Sequence, residues 1–226
     1  MGNDWDIALH SLSKLTIHSN LDNEPVKIEG GESNEDLKCI GKGTDAAVFQ
    51  HVHVPYYAFK IYAEEKMDKV NIEENVYRQL GESPYFPICF ATFENILILS
   101  YEEGITLFDC LLQGIHIPQQ VIDDVEEARH YVRSKGLNPR DIHLKNILLQ
   151  NGRAKILDVS EYVHQGNDYR WEYLKRGYEQ YYPYIDGNPV PLWLAESVRK
   201  FYNQHFRGLP PDHDYLKLIR KFIFRK

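Results

Sequence analysis

Arg140-Asp141-Ile142-His143-Leu144-Lys145-Asn146-Ile147-Leu148-Leu149-Gln150-Asn151-Gly152-Arg153-Ala154-Lys155-Ile156-Leu157-Asp158 is the stretch that decides how this chain is read. Two apolar runs meet at Asn151-Gly152, a strong hairpin signal because both residues tolerate the positive φ of a type I′ turn. Folded that way, Gln150 faces Arg153, Leu149 faces Ala154 and Asn146 falls opposite Leu157. Asn146 and Asp158 then stand one residue out of register, close enough to share a cation, with Asp141 just upstream on the same rim. An amide and two carboxylates at one end of a hairpin suit a hard, oxygen-liganded ion such as Mg²⁺. Phosphoryl transfer needs a corner of that kind.

The 226 residues around this stretch allow one large or two small domains, either able to bury a real core. With 43% hydrophobic and 13% aromatic residues the chain reads as globular rather than disordered. A net charge of −7 argues against a surface built for nucleic acid. No apolar run reaches the ~20 residues of a membrane helix, since Phe86 to Leu99 is interrupted by Glu94 and Asn95. The N-terminus lacks the basic and apolar segments of a secretory leader. Cys39, Cys89 and Cys110 are widely spaced and odd in number, which fits reduced, buried thiols in a cytoplasmic protein better than a disulfide framework.

Residues 1–35 read as an N-terminal extension. Trp5, Leu9, Leu12 and Leu15 recur at helical spacing, a polar loop with Gly30-Gly31 follows, and Val26-Lys27-Ile28 stands as a stray strand. From Asp36 the pattern becomes strand-like. Leu37 to Ile40 and Ala47 to Val54 flank a glycine turn, Pro55-Tyr56 marks another turn, and Tyr57 to Ala63 is a third strand. Lys66 to Leu80 has a helical stripe of Ile72, Val76 and Leu80, closed by Gly81. Phe90 to Phe93 and Ile96 to Ser100 form a hairpin around Glu94-Asn95.

Beyond Gly104 the periodicity is helical. Pro118 to Lys135 places Val121, Val125, Ala128 and Val132 on one face, with Gly136 after it. The hairpin is followed by a Tyr-rich helix around Trp171 to Tyr182, a helix from Leu192 to Phe206 and a terminal helix from about Asp214. Strands first and helices later predict an α+β protein in two parts, 36–102 and 103–226.

Ile40-Gly41-Lys42-Gly43-Thr44-Asp45-Ala46-Ala47-Val48 is a glycine turn between strands. Without side chains in the way, backbone amides at Gly41 and Gly43 can approach phosphate oxygens, although two glycines in a hairpin are more often only a turn. Alternation sets Ala58, Lys60 and Tyr62 on one strand face and Phe59 and Ile61 on the other. A lysine centred in a half-buried strand is costly without a partner, and Glu73 on the next helix is the first choice, Glu74 the alternative.

In order along the chain stand the glycine turn with Val48, Ala58-Phe59-Lys60, a helix glutamate, Leu99-Ser100-Tyr101-Glu102-Glu103-Gly104, Arg140-Asp141 with Asn146, and Asp158. This order resembles the protein kinase superfamily, especially its short bacterial serine/threonine members. The resemblance covers roughly Asp36 to Val159. It implies a two-lobed, kinase-like fold: a small antiparallel N-lobe with one helix over 36–102, and a reduced, mostly helical C-lobe over 103–226. It further implies an ATP- and Mg²⁺-dependent phosphotransferase. Gly41 and Gly43 would cover the phosphates, and Lys60, held by Glu73, would contact the α- and β-phosphates. Val48 and Ala58 would roof the adenine, Leu148 would floor it, and backbone groups at Ser100 and Glu102 would read its edge. Asp141 would orient or deprotonate the acceptor hydroxyl, while Asn146 and Asp158 hold Mg²⁺.

The chain departs from the family pattern in several places. Pro139 precedes Arg140-Asp141 where the family has histidine. His143 stands where protein kinases place lysine, as in aminoglycoside and choline kinases. Asp158-Val159-Ser160 lacks the flexible glycine after the metal ligand, and Ala46 replaces the third loop glycine. No Ala-Pro-Glu motif is present, and only Val159 to about Arg170 precedes the Tyr-rich helix. Asp168 and Trp171 echo the family's buried aspartate and tryptophan at that helix start. Three functions compete: a serine/threonine protein kinase, a small-molecule phosphotransferase of the same fold, and a nucleotide-binding pseudokinase scaffold. The retention of Lys60, Asp141, Asn146 and Asp158 argues against the third.

Other features carry plainer readings. His51 and His53 alternate on a strand and read as a solvated face, for want of further ligands. Tyr173, Tyr178, Tyr181, Tyr182 and Tyr184 read as packing residues with hydroxyls at the surface. Lys217, Arg220, Lys221, Arg225 and Lys226 read as the basic end of a capping helix.

Overall fold

The computed structural model describes residues 3–20, 24–30 and 35–211 as an α+β chain that divides into two units, Met1–Glu102 and Glu103–Lys226. The terminal helix and the basic cluster after Asp214, along with Gly31, lie outside the described residues.

The first unit begins with α1 (Asp6–Leu12), then β1 (Thr16–His18) and β2 (Lys27–Glu29), which pair antiparallel with Ile17 opposite Ile28. The segment read as a stray strand therefore has a partner, and α1 stops short of Leu15. Five further strands follow: β3 (Leu37–Lys42), β4 (Ala46–His51), β5 (Val54–Tyr62), β6 (Cys89–Phe93) and β7 (Ile96–Ser100). They form one antiparallel sheet in the order β3-β4-β5-β7-β6. A 3₁₀ turn (Glu64–Lys66) leads into α2 (Met67–Leu80), and Gly81 ends it at φ 68°.

Pro55-Tyr56 is strand, not turn. The chain reverses at Val52-His53, and β5 runs on from Val54. Proline is tolerated because pairing with β7 begins only at Tyr57, so Pro55 lies outside that ladder. The β6–β7 hairpin turns at Glu94-Asn95, with Glu94 at φ 51°.

Alternation along β5 explains why the N-terminal segment folds where it does. Phe59 and Ile61 share a core with Ala47, Phe49, Ile96 and Ile98, and α1, β1 and Val26 close it through Ala8, Leu12 and Ile17. Each such Leu, Ile or Phe side chain contributes about 1.5–3 kcal/mol on full burial, so residues 3–20 and 24–30 are not an appendage to the sheet but part of its cover. His51 is also covered. It is fully buried, its Nε2 lies 3.3 Å from Ser11 Oγ, and its Nδ1 accepts from the His53 amide, so the solvated-face reading of His51 is wrong. The thiols differ as well: only Cys110 is buried, Cys89 is partly so, and Cys39 is exposed.

The second unit contains β8 (Ile105–Thr106), α3 (Leu107–Gln113), α4 (Gln119–Ser134), β9 (Ile147–Gln150), β10 (Arg153–Ile156), α5 (Arg170–Ile185) and α6 (Leu192–His205). Thr106 caps α3, its Oγ1 accepting from the Asp109 amide at 3.0 Å. β9 and β10 pair with Gln150 opposite Arg153 and Leu149 opposite Ala154, and both turn residues have positive φ (51° and 79°). β8 adds a third strand to this hairpin.

The stripe Val121, Val125, Ala128 and Val132 of α4 is buried. From the same helix Asp124 accepts from Arg153 Nε (2.8 Å), Arg153 Nη2 (2.7 Å) and the Ala154 amide (2.9 Å). That buried carboxylate fastens the hairpin to α4. Arg129 pairs with Glu126 of its own helix at 2.8 Å and joins α4 to α5 through Glu172 at 2.5 Å. Several tyrosine hydroxyls on α5 point inward: Tyr178 donates to the Ile117 carbonyl, and Tyr182 donates to Asp186 while accepting from the Ile117 amide. Tyr184 alone of that group is strongly exposed.

Candidate active site

In the first unit, Lys60 and Glu73 meet. Lys60 Nζ lies 2.9 Å from Glu73 Oε1 and 2.7 Å from Oε2, the carboxylate is fully buried, and the Tyr62 hydroxyl donates to the same group. Lys60 Nζ also sits 5.2 Å from the centre of the Tyr62 ring. Glu74 turns away to pair with Arg78 at 2.9 Å, so Glu73 is the partner. Taking two charges out of water costs several kcal/mol per ion, which leaves such a pair with little net stability to offer. What it does is fix the ammonium in place.

The glycine turn borders this pair. Gly41 lies opposite Val48, and Val48 lies opposite Lys60. Neither Gly41 nor Gly43 has positive φ, and a Cβ at Gly41 would meet only Val48 at 3.7 Å. The backbone conformation thus does not itself demand glycine at 41, and Gly43, with its Cβ position 3.4 Å from the Ala46 carbonyl, is only slightly tighter. Asp45 in the turn is tied to α2 by Lys69 at 2.7 Å. Ala58 is buried, lying opposite Leu99.

At the end of β7 the Ser100 amide donates to the Ile88 carbonyl at 2.8 Å, and its hydroxyl donates to Glu102 at 2.6 Å. The Ser100 amide is therefore spent within the sheet. Any reading of a ligand edge by Ser100 is left to its carbonyl.

In the second unit the loop before β9 is strapped to the segment after β10. The Asn138 amide donates to the Tyr162 carbonyl, its side chain donates to His164 and Gly166 carbonyls, and Arg140 donates to the Gln165 carbonyl. Asp141 sits at the loop's sharpest point with φ 54°, a left-handed conformation that aspartate tolerates better than most residues. Its amide donates to Asp168 Oδ2 at 2.9 Å, and Arg170 Nη1 donates to its Oδ1. The same Asp168 accepts from the Arg170 amide at 3.2 Å. Trp171, buried beside them, donates to Glu126 at 2.5 Å.

Asn146 lies opposite Leu157, as the hairpin register requires. The Leu157 amide donates to the Asn146 carbonyl at 2.8 Å, while Asn146 Nδ2 donates to the Asp141 carbonyl at 3.3 Å. Asp158 Oδ1 accepts from the Ser160 amide at 3.0 Å. Leu148 is buried on β9.

The electrostatics of this corner are unusual. Burial pushes the Asp141 carboxyl up to about 6; Arg170 opposes this, while Asp158, Asp168 and Glu161 reinforce it. Burial and the Arg170 charge hold His143 down to about 4, so it is neutral at pH 7 although it lies 3.9 Å from Asp141. Tyr162, wholly buried nearby, is pushed up by burial and the surrounding carboxylates. Arg170 was not among the site residues expected from the sequence. Twenty-nine residues separate it from Asp141, and only the helix start at Asp168 could have pointed to it.

No family model matches the chain. It is 33% identical over 176 residues to a protein of Bacillus subtilis (strain 168) named "Putative serine/threonine-protein kinase YrzF", a match spanning 76% of this chain and 82% of that relative. The chain belongs to the same kinase-like family.

Proposed function

We propose that the protein is an ATP- and Mg²⁺-dependent phosphotransferase that moves the γ-phosphoryl group to a hydroxyl. The observation that carries this reading is the corner of Asp141, Asn146 and Asp158. A carboxylate with a raised pKa stands beside an amide and a second carboxylate with hard oxygen donors. Mg²⁺ is commonly held by one or two protein carboxylates and completed by phosphate oxygens and water. An ion at Asn146 and Asp158 would take the rest of its shell from ATP and water.

In this reading Lys60, fixed by Glu73, neutralises the α- and β-phosphates, and Gly41 and Gly43 leave room for phosphate oxygens beside the backbone. Val48, Ala58 and Leu148 offer apolar surface to the adenine, with the carbonyl of Ser100 and the backbone of Glu102 at its edge. Asp141 accepts the proton of the acceptor hydroxyl, and Asn146 and Asp158 would hold Mg²⁺, which would supply positive charge against that building on the leaving diphosphate. Most of the rate enhancement comes from positioning and charge neutralisation.

The relative's name points to a protein serine or threonine as acceptor. A neutral His143 where protein kinases carry lysine, and the short run from Val159 to Tyr169, favour a small-molecule hydroxyl instead. Transfer of labelled γ-phosphate to a generic protein, to the chain itself and to a panel of small hydroxyl compounds tests the reading. Asp141→Ala and Asp158→Ala should each lower transfer by 10² or more, about 3 kcal/mol in the barrier. Equal transfer by both variants would end the assignment.

A further inference from the structure

α5 carries Gly177 within its sixteen residues. A glycine inside a helix costs about 1 kcal/mol relative to alanine, and it is usually explained by a close neighbour. Gly177 has none: a Cβ there would meet nothing within 4 Å. It lines a cavity of about 410 Å³ inside the second unit. Phe108 and Leu111 of α3, Leu174 and Tyr181 of α5, and Leu194 and Val198 of α6 form much of the wall. The size falls within the range of small-ligand pockets.

The charged side chains of the cavity wall come from the loop before β9, from α5 and from α6. Lys145 and Arg199 are both answered by Glu196, at 3.3 and 2.6 Å. His143 and Arg170 also line the wall, and these two residues reach the Asp141 carboxylate, Arg170 by a hydrogen bond and His143 at 3.9 Å. An apolar chamber whose wall includes Arg170 and His143, both within reach of the Asp141 carboxylate, is placed to present a hydroxyl to it. Sugars and aminoglycosides would leave their many polar groups unpaired against such walls.

We propose that this cavity is the acceptor site, and that the acceptor is a small molecule with an apolar, ring-bearing body and a hydroxyl directed to Asp141. The proposal rests on the phosphotransfer reading and narrows its acceptor. The acceptor oxygen bonds to the γ-phosphorus of ATP, the bond from that phosphorus to the β–γ bridging oxygen breaks, and ADP leaves. The hydroxyl proton passes to the Asp141 carboxylate. Gly177 keeps the chamber open at the expense of helix stability.

The test uses the full chain with 2-naphthol and 2-naphthylmethanol as probes, calorimetry to read binding and mass spectrometry to read naphthyl phosphate esters formed with Mg²⁺ and ATP. Wild type should bind a probe at one site and form its ester. Gly177→Leu, which fills the chamber, should weaken binding at least tenfold and lose the ester while melting no lower than wild type. Ala195→Leu, filling from the opposite wall, serves as the second variant and should do the same. Absent binding to wild type, or unchanged binding in both filled variants, overturns the proposal. So does ADP formation with label passing only to a generic protein, and that result leaves the phosphotransfer reading standing. Probe binding with no ADP formed on any acceptor instead strikes that reading, and the acceptor assignment falls with it.

Discussion

Arg170 donates through Nη1 to Asp141 Oδ1, so the carboxylate assigned to the acceptor proton carries a guanidinium from the first residue of α5. Two opposed influences act on that carboxyl. Burial and three nearby carboxylates raise it to about 6, and Arg170 holds it from rising further. The proton-accepting form is the ionised one, so activity falls as pH drops through this value. Arg170→Gln removes the lowering influence and should move the acidic limb of the pH–rate profile upward. At pH 6.5 the rate should fall about tenfold, and at pH 8.5 less than about threefold. A uniform loss at all pH values would assign Arg170 a structural role only.

The same raised carboxyl has a consequence for stability. Its folded pKa lies above the ordinary carboxylate value, so between about pH 4 and 6 the folded chain binds more protons than the unfolded one. Stability from this group therefore declines as pH rises through that window. Asp141→Asn is neutral and also tolerates positive φ. With the side chain about a third exposed, the gain is discounted to about 1 kcal/mol, or roughly 2–4 °C in Tm at pH 8, with little change at pH 3.5. Thermal melts at the two pH values check it.

Lys60 and Glu73 should behave as a buried pair whose value is positional. Glu73→Ala strands an ammonium and should cost about 3–5 kcal/mol, read by urea unfolding. The double replacement Lys60→Met with Glu73→Leu should recover most of that loss, because two apolar side chains need no partner. Neither protein should show a nucleotide-dependent rise in Tm. Retained nucleotide stabilisation in the double variant would separate this pair from phosphate binding.

Asp124 is the fastening of the hairpin that carries Asn146 and Asp158. Burial pushes its carboxyl up, but hydrogen bonds from Arg153 and the Ala154 amide outweigh this and hold it below the usual range. A lowered folded pKa means the contribution is present at neutral pH and lost as pH falls through the folded value. Asp124→Ala should cost about 3 kcal/mol at pH 7 and progressively less on acidification, by urea unfolding along a pH series.

Local chemistry made several elements readable. Asn151-Gly152 allows few other turns, so the hairpin register followed directly and matches the pairing found between Ile147–Gln150 and Arg153–Ile156. Strand alternation around Lys60 pointed to a buried ammonium, and the helix stripe narrowed its partner to two neighbouring glutamates. What covers Phe59 and Ile61 was not readable, because alternation reveals an apolar face without naming its partner; α1 and the β1–β2 hairpin supply it. Pro55 was misread as a turn because its place outside the β7 ladder depends on pairing, not on local preference. Arg170 and the cavity around Gly177 arise from contacts between residues distant in the chain, which periodicity does not report.

Nucleotide binding with a metal held at Asp158 is the requirement on which the proposed chemistry most directly depends. Thermal melts of wild type and Asp158→Ala with ATP, with and without Mg²⁺, measure it. Ligand at 100 times its Kd adds about 2.7 kcal/mol, equivalent to roughly 5–10 °C for a chain of this size. Wild type should gain that rise only when Mg²⁺ accompanies ATP, and Asp158→Ala should lose most of it. Equal rises in the two proteins, or no rise in wild type at saturating Mg²⁺ and ATP, would contradict the account.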